Sequence, residues 1–189
     1  MASRPHINGS YLLDSCTVID YQKVAALDIL RSFATHCDSL KVSSLALTKE
    51  VRGLSREEYE DLGIKILVPT LEQLGEAKTF RGISAIDACH LILCRDNSLI
   101  LVTSDKGLLT KATQLAIPLV RNLRLMSLLF EQRLMSGARA QKIVREMAVA
   151  DPVFLSNSVV EEFSQQITSI AKSHRDRNDL GSGGHRDQG

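Results

Sequence analysis

Apolar and polar positions along the chain alternate between strand-like runs and helical spacing. Tyr11-Leu12-Leu13 is a short apolar run ending in Asp14 and predicts a strand. From Thr17 to Thr35, Val18, Val24, Leu27, Ile29, Leu30 and Phe33 fall mostly at helical spacing. Residues 41–47 predict a strand running into a helix over 48–54. Ser55-Arg56-Glu57-Glu58 has capping-box spacing and opens a short helix that stops near Gly63. Ile64 to Val68 reads as a strand closed by Pro69, and helices follow over 70–80 and 84–95. Leu99 to Thr103 is a near-continuous apolar run, the pattern of a strand buried on both faces of a parallel sheet. A helix over 106–115 and a last strand over 118–120 complete the alternation.

Strands alternating with helices imply βαβ units and an open α/β sheet, so residues 1–121 read as one α/β domain. Beyond Arg121 the strand pattern stops, and helices are expected over 123–134, 138–148 and 159–171. Residues 122–172 therefore read as a helical extension packing on the domain. Residues 173–189, rich in Gly, Ser, Asp, Arg and His without an apolar anchor, read as a disordered tail.

Length and composition narrow the function classes. The chain has 189 residues, 44% hydrophobic and 24% charged, which suits a globular fold rather than disorder. Its net charge of +1 argues against holding nucleic acid by bulk charge alone, and 4% aromatics without Trp argues against a base-stacking platform. No apolar stretch approaches the roughly eighteen residues of a membrane span. The first ten residues lack an apolar export signal, which points to the cytoplasm. Cys16, Cys37, Cys89 and Cys94 form no CxxC pair, and His90 has no second ligand cluster to make a zinc site with them. Cys89 and Cys94 read as buried, reduced thiols.

The informative feature is where four acids fall. Asp14 ends the first strand, and Asp105 follows the strongest later one, in the position where open α/β sheets build their sites. Glu50 lies in the helix after the second strand, and Asp87 in the first turn of the helix opened by Ser84. Converging carboxylates need a cation to stay ionised together, and hard oxygen donors suit Mg²⁺ or Mn²⁺. Each acid also has a structural use. Asp14 and Asp87 suit helix caps, Asp105 suits turn chemistry, and Glu50 could pair with a surface lysine.

Leu13-Asp14-Ser15 after a strand, Glu50 in a Leu-Thr-Lys-Glu-Val helix, Ser84-x-x-Asp87 opening a helix and Thr103-Ser104-Asp105 after a strand resemble, as an ordered set, the motifs of PIN-domain ribonucleases. The resemblance covers roughly residues 10–121 and implies a PIN-like α/β/α sandwich with a central, mostly parallel sheet, followed here by C-terminal helices. It further implies a Mg²⁺- or Mn²⁺-dependent endoribonuclease in which Asp14, Glu50, Asp87 and Asp105 hold the metal. Thr103 or Ser104 would supply a supporting hydroxyl. Many members are VapC-type toxins restrained by a small antitoxin protein, so RNA, an antitoxin and a second copy of the chain are the implied partners. Lys49, Arg52 and Lys106 adjoin three of the motifs and are candidates for RNA phosphates.

The chain departs from a compact toxin in its three further helices and in the short spacing from Asp14 to Asp87, which suggests a reduced insert and a more open cleft. In the extension, Arg139, Lys142 and Arg145 recur every three residues and could share a face for RNA backbone or an acidic partner. A catalytically silent PIN-like module binding protein through these helices is the alternative reading. A receiver domain is disfavoured, because residues 66–70 supply no phosphoacceptor Asp.

Overall fold

A computed structural model describes residues 5–152 and 155–182. Strand β1 (Ile7–Leu13) leads to helices α1 (Ser15–Lys23) and α2 (Leu27–His36), and β2 (Cys37–Ser43) to α3 (Ser44–Lys49) and α4 (Arg56–Asp61). Strand β3 (Ile64–Leu67) precedes α5 (Leu71–Ala77) and α6 (Ala85–Asn97), and β4 (Ile100–Val102) precedes α7 (Lys106–Gln114). After β5 (Leu119–Val120) come α8 (Leu123–Glu131), α9 (Gly137–Ala150) and α10 (Asn157–Ser182). The five strands form one parallel sheet in the order β3-β2-β1-β4-β5. The expected fold class, an α/β/α sandwich with C-terminal helices, is the one observed.

Register explains the two cores. Tyr11 and Leu13 pair with Leu40 and Val42 on one side and Ile100 and Val102 on the other, and all six side chains point to the same face. That face packs against α1, α2, α4 and the C-terminal helices through Val18, Tyr21, Phe33, Met126, Val144 and Phe163. Leu12 and its partner Leu101 point the other way, into a second core with α6 and α7. Helices α8 to α10 therefore share the main core rather than forming one of their own. Near the start of β1, Gly9 adopts φ +113° at a break in register, and a Cβ there would meet Ile100 at 2.9 Å.

Several elements differ from expectation. The helix expected over 17–35 is broken at Ala25, which takes φ +50° and divides it into α1 and α2. The strand expected over 41–47 runs instead from Cys37 to Ser43, where the Ser43 hydroxyl caps α3 by accepting the Leu45 N–H at 3.2 Å. Glu50 thus closes α3 rather than lying within a helix. Residues 173–182, expected in a disordered tail, continue α10, and residues 183–189, with His185, lie outside the described residues. Among the described residues, no helix is long and apolar enough to cross a membrane.

The extension is fastened to α1 by Asn122. Its amide donates to Asp20 Oδ2 at 2.7 Å, and its carbonyl accepts from the buried Tyr21 hydroxyl at 3.1 Å. Burial pushes the Asp20 carboxyl up from 3.8 to about 6, outweighing the opposing effects of Lys23 and the Asn122 amide. Because the folded state binds this proton more tightly, the contribution to stability is complete below pH 3.8 and is lost as pH rises through about 6. Asp20→Asn should therefore leave stability near pH 4 almost unchanged. It should raise stability near pH 8 by about 1 kcal/mol, after allowance for partial exposure. Thermal melts of both proteins at the two pH values test this.

Candidate metal centre

From β1 the sheet grows outward through β2 to β3, and the chain then returns past β1 to lay down β4 and β5. Strand order therefore reverses between β1 and β4, and the crevice outside their carboxyl ends is the natural site of such a sheet. Asp14 stands there, its backbone N–H donating to the Val102 carbonyl at 3.0 Å. It occupies the N-cap position of α1, yet its side chain caps nothing. The carboxylate is only 3% exposed.

Proton counting shows which oxygen is committed. Oδ2 accepts from the Thr103 hydroxyl at 2.8 Å and from the Cys16 thiol at 2.9 Å. The Thr103 oxygen in turn accepts the Asp105 N–H at 3.1 Å. The Ser15 hydroxyl lies 3.3 Å from Asp14 Oδ1 and 2.5 Å from Glu50 Oε2. It has one proton, and the shorter distance assigns that proton to Glu50. Oδ1 of Asp14 keeps lone pairs free and lies 3.5 Å from His90 Nδ1. Burial first, and then the neighbouring Asp14 charge, push the Cys16 thiol up to about 12, so it remains a neutral donor.

Helix α6 brings the next two groups. Ser84 caps it by accepting the Asp87 N–H at 3.0 Å, while its hydroxyl donates to Asp87 Oδ2 at 2.8 Å. Three residues on, and so on the same helix face, is His90. One ligand atom each from Asp14, Asp87 and His90 can be chosen so that all three lie within 4.8 Å of one another. His90 is fully buried, and neither ring nitrogen has a hydrogen-bond partner. Its Nδ1 lies 3.5 Å from Asp14 Oδ1, a charge-pair distance at which no hydrogen bond is made. An unmet buried polar atom costs about 1–3 kcal/mol, so a buried imidazole with both ring nitrogens unmet calls for an explanation. Ligation by one ring nitrogen would remove part of that cost. Two carboxylates and an imidazole are donors that a divalent ion accepts. No known protein family, curated protein or solved structure matches the chain. The site therefore has to be read from this geometry.

The four acids are not brought into one cluster. Asp14 and Asp87 converge, Glu50 is tied to them through Ser15, and Asp105 through Thr103. Asp105 also serves as the cap of α7, its Oδ1 accepting the Leu108 N–H at 2.7 Å, and its side chain is exposed. His90 is the member that sequence reasoning passed over. The Asp-x-x-His spacing in a helix was the available signal.

Beside Asp105 opens a groove of about 360 Å³ between the start of α7 and the extension. Ser104, Lys106 and Arg121 line it with the apolar Leu109, Leu123 and Val159. Lys49 and Arg52 are exposed beside Glu50. In the extension, Arg139 pairs with Asp28, and Lys142 lies 3.7 Å from Glu146. Arg145 lies instead beside a separate hollow with Lys23 and Val149.

Thr103 is the hinge of this arrangement, since it donates to Asp14 and accepts from Asp105. Thr103→Val keeps the shape and removes both bonds, leaving a buried carboxylate short of a donor. The expected loss is about 2 kcal/mol of unfolding free energy, measured by urea denaturation in metal-free buffer.

Proposed function

We propose that the protein is a divalent-metal-dependent endoribonuclease of the PIN-domain kind, working on cytoplasmic RNA. The observation that carries the reading is the convergence of Asp14 and Asp87 where strand order reverses. The resemblance of the ordered acid motifs adds the reaction. Mg²⁺ or Mn²⁺, when bound, supplies a water of lowered pKa and a counter-charge for the phosphoryl oxygens.

The chain's own groups then have distinct tasks. Thr103 and Cys16 hold Oδ2 of Asp14 and so leave Oδ1 on the side of His90 for the cation. Ser84 fixes the Asp87 carboxylate on the first turn of α6. Ser15 orients Glu50, and the Thr103 hydroxyl together with the helix cap orients Asp105. Lys106 and Arg121 in the adjoining groove are suited to flanking phosphates, while Leu109, Leu123 and Val159 offer an apolar wall. No serine, cysteine or histidine nucleophile is required, and the Cys16 thiol is held neutral by its surroundings. A small antitoxin protein is the partner expected if the enzyme is a toxin.

Incubation of the purified chain with Mn²⁺ and a panel of single-stranded and structured RNAs tests the reading. Internal cleavage that chelation stops is expected. Asp14→Asn and Asp87→Asn should each slow it by about a hundredfold or more, with the circular dichroism spectrum retained. A panel left intact by folded wild-type protein in Mn²⁺ would overturn the proposal.

A further inference from the structure

We propose that His90 is a nitrogen ligand of the cation held by Asp14 and Asp87, and that it makes the site prefer a transition-metal dication such as Mn²⁺ over Mg²⁺. The inference rests on the metal-site reading above and goes further, because the ordered acid motifs contain oxygen donors only.

Two independent observations point to ligation. The first is position: Asp87 and His90 project from one face of α6 toward Asp14, and the three donors gather within 4.8 Å. The 3.5 Å between His90 Nδ1 and Asp14 Oδ1 is of the size expected between two ligands of one small cation, roughly 3–3.5 Å for bonds of about 2.1 Å. The second is the state of the ring. His90 is 0% exposed with both nitrogens unpartnered. A structural histidine would be expected to show at least one hydrogen bond.

The chemistry then sets the preference. Mg²⁺ favours oxygen ligands and retains its waters, whereas imidazole is a donor for first-row transition ions. Substituting one nitrogen into a carboxylate site therefore raises affinity for those ions more than for Mg²⁺.

The full chain loaded with Mn²⁺ can be examined by electron spin-echo modulation, with ¹⁵N-histidine labelling to assign the coupling. A directly bound histidine nitrogen is expected, and it should vanish in His90→Gln. Calorimetry should show Mn²⁺ affinity falling about ten- to a hundredfold in His90→Gln, with Mg²⁺ affinity changing much less. Saturable Mn²⁺ binding that Asp14→Asn abolishes, but that shows no nitrogen coupling in the wild-type protein, would overturn the role of His90 and leave the metal site standing. Absence of any saturable Mn²⁺ binding would overturn both. The wild-type spectrum needs no variant, so a misfolded His90→Gln does not blunt the test.

Discussion

A carboxylate buried to 3% exposure at the end of the central strand is the constraint on which the rest depends. A charge removed from water has to be met by donors or by a counter-ion. Around Asp14 the donors are neutral: the Thr103 hydroxyl from the end of β4 and the Cys16 thiol from α1. Among the described residues, the basic group paired with it is His90, whose Nδ1 lies 3.5 Å away and makes no hydrogen bond. Strand β1 delivers the charge, β4 fixes its orientation, and α6 brings up a second carboxylate with an imidazole. In the proposed function this incomplete compensation is what makes a cation welcome.

Much of the architecture was legible because the sheet is buried on both faces. Leu12 and Leu101 serve one core while Leu13 and Val102 serve the other, so the strands read as unbroken apolar runs. The break between α1 and α2 was not legible. Ala25, rather than glycine, takes the left-handed conformation, and the apolar spacing continues across it. The end of β2 was hidden for a similar reason: only Ser43 and Ser44 separate Val42 from the Leu45-Ala46-Leu47 run, and Ser43 is the cap that divides strand from helix.

The candidate site was half legible. The positions of Asp14 and Asp105 at strand ends could be read, and so could Asp87 in the first turn of a helix opened by Ser84. Asp105 does cap α7, whereas α6 is capped by Ser84, with Asp87 held on its first turn by the Ser84 hydroxyl. His90 was hidden by its neighbours: Cys89, Leu91 and Ile92 are all buried, and a histidine among them reads as core. Only the three-dimensional position of Asp14, remote in sequence, gives the Asp87-x-x-His90 spacing its meaning.

The extension changes meaning as well. Its arginines suggested a basic face, but Arg124 and Arg139 pair with Glu131 and Asp28, and Lys142 lies near Glu146. Such exposed pairs add little stability, but they reduce the free positive field. Positive charge beside the crevice comes instead from Lys106 and Arg121, with α8 and α10 supplying an apolar wall through Leu123 and Val159. The extension thus bears on the groove by shape as well as charge. The most direct test of the central claim is an anomalous difference map from crystals soaked in Mn²⁺. A peak between Asp14 and Asp87 is the result this account requires; saturating Mn²⁺ with no peak there, or with the ion held only by other residues, would contradict it.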